Sequence, residues 1–350
     1  MVHTFEIYTY ISLLRAGLLL DELEASEAMR FVGPGNVNGI TKLSIFPRGD
    51  NFGYILKLIV NPAKLLYGYD AFETMDVDLL PELATAFASA LSEALGYEDF
   101  PDLPDWLVHR IDFAVDVYTE HPREYLLLFD KGDKPKSYKE RYSGRDGSCY
   151  WECKSTTANV YYKADQMARE GKSPELIERA KNLIRFEVQC KSPKVTYLRK
   201  KFGLEGRRLS ELFTRDCAEA VLTTYCRRVF KTGDYYSRTE AGKRMKALGL
   251  STRQQRACDN ILRAIAQTRS ISAARQKITT EGIMVKNTIP VIQLNYSVEQ
   301  FGRNCKKLSD SGINPVTIPR DWNIDYLPGI YSLLHDRLGI SFDSTTTKLA

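Results

Sequence analysis

Three short segments of this chain place charged residues and a tyrosine at alternate positions, the spacing that brings side chains to one face of a β-strand. In the segment from His109 to Val117, Ile111, Phe113, Val115 and Val117 share one face, while Arg110, Asp112, Ala114 and Asp116 share the other. From Ile184 to Lys191 the apolar face is Ile184, Phe186, Val188 and Cys190, opposite Arg185, Glu187, Gln189 and Lys191. In the third, Asn159, Tyr161 and Lys163 alternate with Val160 and Tyr162. Joined in one sheet, these strands would gather Asp112, Glu187, Tyr161 and Lys163 on a single polar surface. Converging carboxylates repel unless a divalent cation lies between them, and oxygen ligands favour Mg²⁺ or Mn²⁺. Beside a phosphodiester such a cation polarises the phosphoryl oxygen. A tyrosine with an ordinary pKa of about 10 needs that help to attack as a phenolate. Lys163 would orient the phosphate or lower the pKa of the phenol. A half-solvated antiparallel strand shows the same alternation, so each segment alone says little. Three in succession, each with a different part of one mechanism, say more.

The elements that must position these groups are legible around them. Ile40 to Phe46 and Gly53 to Val60 read as strands flanking the turn-like Pro47-Arg48-Gly49-Asp50-Asn51. Asp76 to Leu95 reads as a helix, with Leu80, Leu83, Phe87, Leu91 and Leu95 at helical spacing, Pro81 in its first turn and Gly96 at its end. The polar, basic stretch Asp130 to Arg145, with Tyr138 and Tyr142 interleaved, reads as a loop. Beyond residue 203 the pattern turns helical: Leu209 to Phe230, Arg238 to Leu248, Thr252 to Gln267 and Ser297 to Ser309. The fold class expected is therefore α+β, with the chemistry in residues 1–205 and a mainly helical domain for DNA or a partner in residues 206–350. Arg253, Arg256 and Arg263 recur on one of its helices and suit a phosphate backbone.

Composition bounds the rest. The 350 residues, 43% hydrophobic and 27% charged, are those of a folded chain. No apolar run reaches the roughly 18 to 20 residues of a membrane span. The nearest, Ile11 to Leu20, is broken by Arg15, has no basic leader or cleavage site, and reads as an amphipathic N-terminal helix. The seven cysteines form no zinc set and are expected as reduced thiols in a cytosolic protein. Net charge is only +5, but Lys191, Lys194, Arg199, Lys200, Lys201, Arg207 and Arg208 crowd one segment with Glu205 as the only acid. Such a cluster suits a polyanion, and Lys191, Arg199, Lys200 and Lys201, with Arg110 and Arg185 from the strands, are the candidate DNA contacts. Gly242-Lys243 lacks the other residues of a phosphate-binding loop, so unwinding would fall to a separate helicase.

Read together, these residues resemble the gene II/X replication proteins of filamentous phages and related plasmids. Asn61-Pro62-Ala63-Lys64-Leu65-Leu66 before Gly68 is similar to the family's Ser-Pro-Ala-Lys segment, which ends in Gly-His. Arg110-Ile111-Asp112 resembles its Arg-Ile-Asp strand, and Val160-Tyr161-Tyr162-Lys163 its nucleophile segment of tyrosine, one residue, then lysine. Ile184-Arg185-Phe186-Glu187, with Tyr197-Leu198 and Phe202-Gly203-Leu204, resembles its Arg-Phe-Glu strand and sequel. The resemblance covers about residues 40 to 320, fading around Gly242-Lys243 and beyond. It implies an antiparallel-sheet nuclease domain of the rolling-circle initiator type. It also implies a tyrosine nickase and strand-joining enzyme: Tyr161 as nucleophile rather than Tyr162, Lys163 beside it, and Asp112 and Glu187 as Mg²⁺ or Mn²⁺ ligands. The implied partners are double- and single-stranded phage or plasmid origin DNA and a host helicase and polymerase, in the host bacterial cytoplasm with no membrane.

The chain departs from the pattern in places. The His-hydrophobic-His metal motif of related rolling-circle nucleases is missing, Tyr69 follows Gly68 in place of histidine, and Lys57 stands where a family glutamate aligns. The N-terminal stretch looks short, so origin contacts made there in relatives are expected to be lost. Two other readings suit the same residues. One is a relaxase or transposase with the same tyrosine chemistry. The other is a non-catalytic single-stranded DNA-binding protein whose Tyr138, Tyr142, Tyr161 and Tyr162 stack on bases.

Overall fold

The computed structural model describes residues 1–22, 29–30, 39–49, 53–68, 70–95, 99–133, 135, 138, 140–143, 148–285 and 292–338. Tyr69, Gly96, the Asp50-Asn51 tip of the first turn and much of the Asp130 to Arg145 stretch, with the Tyr142 side chain, lie outside the described residues.

Nine strands form one sheet: β1 (Val2–Ile11), β2 (Met29–Arg30), β3 (Ile40–Pro47), β4 (Tyr54–Val60), β5 (Leu107–Tyr118), β6 (Glu140–Ser143), β7 (Cys149–Glu152), β8 (Thr156–Tyr162) and β9 (Leu183–Cys190). Their order is β2-β3-β4-β1-β5-β9-β8-β7-β6, and every neighbouring pair is antiparallel. The N-terminal strand therefore lies in the interior of the sheet, paired with β4 on one side and β5 on the other. Hydrophobic spacing predicts only a helix in this region. That helix exists as α1 (Leu13–Glu22), but Ile11 closes the strand before it.

One face of the sheet is apolar and covered by helices. Ile111, Phe113, Val115 and Val117 of β5, with Ile184, Phe186, Val188 and Cys190 of β9, are buried there as alternation predicts. In chain order the helices are α2 (Pro62–Tyr67), α3 (Leu80–Leu95), α4 (Pro122–Asp130), α5 (Lys163–Arg169), α6 (Pro174–Arg179), α7 (Ser192–Phe202), α8 (Leu209–Leu212), α9 (Arg215–Phe230), α10 (Arg238–Ala247), α11 (Thr252–Thr268), α12 (Ile271–Thr280), α13 (Val298–Asp310) and α14 (Ile330–Leu338). Helix α9 packs directly on β5 and β9. Its Phe230 ring lies 5.1 Å from Phe186, 4.4 Å from Phe129 and 5.7 Å from Trp151, spacings at which aromatic pairs attract. One apolar core runs from Val2 to Leu334, so the first long helix after residue 205 is packed into the sheet.

The opposite face is polar, and a second, smaller cluster covers one end of it. Phe72, Ala164, Met167, Leu176, Ala180 and Leu183 pack together there, joining the segment after α2 to helices α5 and α6. Lys172 pairs with Asp70 at 3.0 Å and Arg179 with Glu73 at 2.9 Å, pinning the same contact from outside. Asn61 caps α2 by accepting from the Lys64 N–H, and Gly68 ends it at φ 92°, a conformation disfavoured for residues with a Cβ. The chain thus leaves the helix pointed across the polar face.

Candidate active site

Strand register brings the polar residues together. Across β5 and β9, Asp112 lies opposite Gln189, Ala114 opposite Glu187 and Asp116 opposite Arg185. Across β9 and β8, Glu187 lies opposite Asn159 and Arg185 opposite Tyr161. Residues directly opposite in an antiparallel pair share a face, so Asp112, Glu187, Arg185 and Tyr161 sit on one surface. The Tyr161 hydroxyl donates to Glu187 Oε2 at 3.3 Å. On the other side of that carboxylate, Gln189 Nε2 donates to Oε1 at 3.1 Å.

His3 completes the cluster, a residue to which spacing alone gives no role. On β1, Val2 pairs with Phe113 and Thr4 with Asp112, so one extra residue intervenes. Such a bulge re-aims the inserted side chain, and His3 Nδ1 lies 3.3 Å from Glu187 Oε2. The β-branched and aromatic run Val2, Thr4, Phe5, Ile7, Tyr8, Thr9, Tyr10 and Ile11 is the signal in the sequence for this strand.

Burial sets the charge states. Burial opposes ionisation of Glu187, yet His3, Gln189 and Arg185 outweigh it and hold the carboxyl down to about 2. Asp112 goes the other way. Burial, helped by the Glu187 charge, holds its carboxyl well above the usual range despite Arg110. Its Oδ1 lies 3.1 Å from Arg110 Nε, an ion pair without hydrogen-bond alignment. Burial, then the Glu187 charge, raises the Tyr161 phenol well above its ordinary value, and burial lowers the His3 imidazole. For Lys163, burial and then the Arg185 charge lower the ammonium to about 8.

Several expected roles change. Lys163 does not continue the strand: β8 ends at Tyr162, and Lys163 opens α5. It remains near the site, with Nζ 5.8 Å from the Tyr161 ring centroid and bonded to Gln166 at 2.9 Å. Arg185 is 0% exposed and holds Asp116 with both ends of its guanidinium, at 2.6 and 2.7 Å, and the Phe72 carbonyl at 2.5 Å. A DNA phosphate cannot reach it, and its part is to tie the Phe72 segment to the sheet. Arg110 is likewise engaged, between Asp112 and Glu6, while Lys57 of β4 pairs with Glu6. Lys191 is tied to Glu152 at 2.5 Å. Arg199, Lys200 and Lys201 lie on the last turn of α7, with Lys200 and Lys201 exposed as a phosphate contact requires. Tyr161 and Tyr138, 5% and 2% exposed, offer no ring face for base stacking. Among the C-terminal arginines, Arg263 is held by Asp259 at 2.7 Å, while Arg253 and Arg256 are exposed.

Among the described residues no three His, Cys, Asp or Glu side chains form a ready-made metal cage, and no helix is long and apolar enough to cross a membrane. The seven cysteines are free thiols. Neither a curated protein nor a solved structure matches the chain. The family described as the N-terminal part of the gene II type of replication-associated protein matches residues 37–205, a span that holds Asp112, Tyr161, Lys163 and Glu187 and ends before α8. Over those residues the chain belongs to that family of replication proteins.

Proposed function

We propose that this chain initiates rolling-circle replication by cutting one strand of phage or plasmid origin DNA with Tyr161. The observation that carries the reading is the Tyr161 hydroxyl set 3.3 Å from the Glu187 carboxylate, on a buried polar face shared with Asp112, inside the segment matched by a replication family. In the reaction the Tyr161 oxygen attacks phosphorus, a tyrosine–phosphate ester forms, and the bond to the 3′ oxygen breaks. The phenolic proton passes to Glu187, the group it already faces. Lys163, with its pKa near 8, supplies a proton to the departing 3′ oxygen. Rejoining runs the same steps backwards when a 3′ hydroxyl returns.

The donor set fits a hard divalent cation. Asp112 carries a buried Oδ1 without a hydrogen-bond partner, and Glu187 is ionised beside it. Mg²⁺ is commonly held by one or two carboxylates, with water and substrate phosphate filling its other positions, so two protein ligands without a cage suffice. Such an ion would neutralise the carboxylates, polarise the phosphate and favour the Tyr161 phenolate. His3 holds Glu187 in place from β1. With Tyr161 5% exposed, a DNA strand reaches it only when the Phe72 segment moves aside. The stacking alternative is disfavoured by the burial of Tyr161 and Tyr138.

The test is a cleavage assay on supercoiled and single-stranded origin DNA, with and without Mg²⁺. Mg²⁺-dependent nicks with protein covalently attached to the 5′ end are expected. Tight DNA binding with no adduct under any divalent ion would leave a binding protein instead.

A further inference from the structure

The far side of the sheet carries a cleft that the tyrosine chemistry does not use. It lies between α7 and α9, with a volume of about 320 Å³, the lower end of the range for small-ligand sites. Lys194, Lys201 and Arg228 line it together with Tyr197, Tyr225 and Ser155. Lys194 Nζ stands 4.2 Å from the Tyr197 ring centroid and 5.1 Å from that of Tyr225, and the Arg228 guanidinium 5.4 Å from Tyr225. These are cation–π distances. Burial lowers the Lys194 pKa, and the nearby Arg228 and Lys201 charges lower it further. Among the described residues, none of the three cations has a carboxylate within ion-pair distance. Three like charges around a half-buried ammonium are unfavourable alone and become favourable when an anion enters.

We propose that this cleft binds single-stranded DNA, one phosphodiester held among Lys194, Lys201 and Arg228 and an adjacent base stacked on Tyr197. The exposed aromatic decides between a strand and a bare phosphate: Tyr197 is 51% exposed at the rim, whereas Tyr225 is buried and serves as the wall. Basic grooves with a stacking ring are the recurrent way of holding single strands without reading sequence. The cleft is also well placed relative to the proposed nucleophile. Thr156, paired with Cys190 just before α7, is five residues along β8 from Tyr161, roughly 17 Å at strand rise, and α7 and α9 cover the opposite face. A strand leaving the cut site would have to pass the sheet edge to reach it, which keeps a displaced strand away from Tyr161. The choice of DNA over other polyanions rests on the replication reading; the anion-binding cleft itself does not.

The test measures fluorescence anisotropy of a labelled oligothymidine, about 20 nucleotides long to exceed a typical single-strand site, with the full chain in EDTA, across a series of NaCl concentrations. Cleavage plays no part in it, so a failure of the tyrosine chemistry leaves the result interpretable. Lys201→Ala with Arg228→Ala changes two exposed residues and should preserve the circular dichroism spectrum. It should weaken binding about tenfold at moderate salt and lower the slope of log K against log salt by about 1.4, at roughly 0.7 per lost phosphate contact. Tyr197→Ala should also weaken binding about tenfold, within the range for one stacked base, with the salt slope unchanged. Wild-type affinity and slope in both variants would overturn the proposal. So would displacement of the oligomer by thymidine monophosphate at equal concentration, which would make the cleft a mononucleotide pocket. A Tyr197→Ala variant that binds normally while the double variant weakens duplex and single strand alike would overturn it too, reducing the cleft to a general phosphate patch.

Discussion

Replacing Asp116 by alanine should destabilise the fold more than any surface change, because it strands the Arg185 charge. The Arg185 side chain is 0% exposed and Asp116 only 14%. The guanidinium makes three hydrogen bonds, two to Asp116 and one to the Phe72 carbonyl, and its Nη1 has no partner. Removing the carboxylate leaves a buried cation with one neutral acceptor. Breaking a buried pair on one side costs about 3–5 kcal/mol, a large share of the ~5–15 kcal/mol that holds a typical protein folded. Urea unfolding followed by tryptophan fluorescence gives the readout, since Trp106 and Trp151 are both fully buried. The midpoint should fall with little change in slope. Asp116→Leu combined with Arg185→Met should recover most of the loss, because apolar residues of similar volume replace a buried pair at small cost. Removing the exposed Glu178 partner of Lys181 should change nothing measurable. A loss below about 1 kcal/mol for Asp116→Ala would refute the reasoning.

Two further substitutions address the metal and the bulge. Asp112→Asn should raise the melting temperature of the metal-free protein at neutral pH. Burial and Glu187 hold the Asp112 carboxyl well above its unfolded value, so its ionisation above that value works against folding. Mn²⁺ should stabilise the wild type and not this variant, and an equal Mn²⁺ shift in both would remove Asp112 from the ligand set. His3→Ala should slow adduct formation with the fold intact, since Glu187 loses a polar neighbour, and His3→Gln should restore part of the rate. Equal rates in all three proteins would leave the bulge without a positioning role.

Much of the site is legible in the sequence because β5, β8 and β9 follow a strict two-residue period, and that period alone places Asp112, Glu187 and Tyr161 on one face. The period fails at Lys163, where Ala164, Gln166, Met167 and Arg169, all good helix formers, turn the chain into α5. It fails differently at Arg185. Alternation assigns that residue to the polar face, but the Phe72 segment that buries it is distant in sequence. Strand β1 is hidden because the bulge at His3 breaks its alternation and the apolar run beyond Ile11 favours a helix. The helices after residue 205 show in their apolar stripes. Their contact with the sheet depends on single large side chains such as Phe230, which periodicity does not single out.

The central claim concerns which oxygen attacks, and Tyr161 and Tyr162 are adjacent enough to test it cleanly. Tyr161 faces Glu187, whereas Tyr162 packs among apolar residues with the Arg123 guanidinium 5.8 Å from its ring centroid. The measurement is the covalent adduct formed on labelled single-stranded origin DNA with Mn²⁺, resolved on a denaturing gel and mapped by peptide mass spectrometry. The wild type and Tyr162→Phe should both carry the phosphate on Tyr161, and Tyr161→Phe should form no adduct while still binding the strand. An adduct surviving in Tyr161→Phe, or a phosphate mapped to Tyr162, would contradict the account.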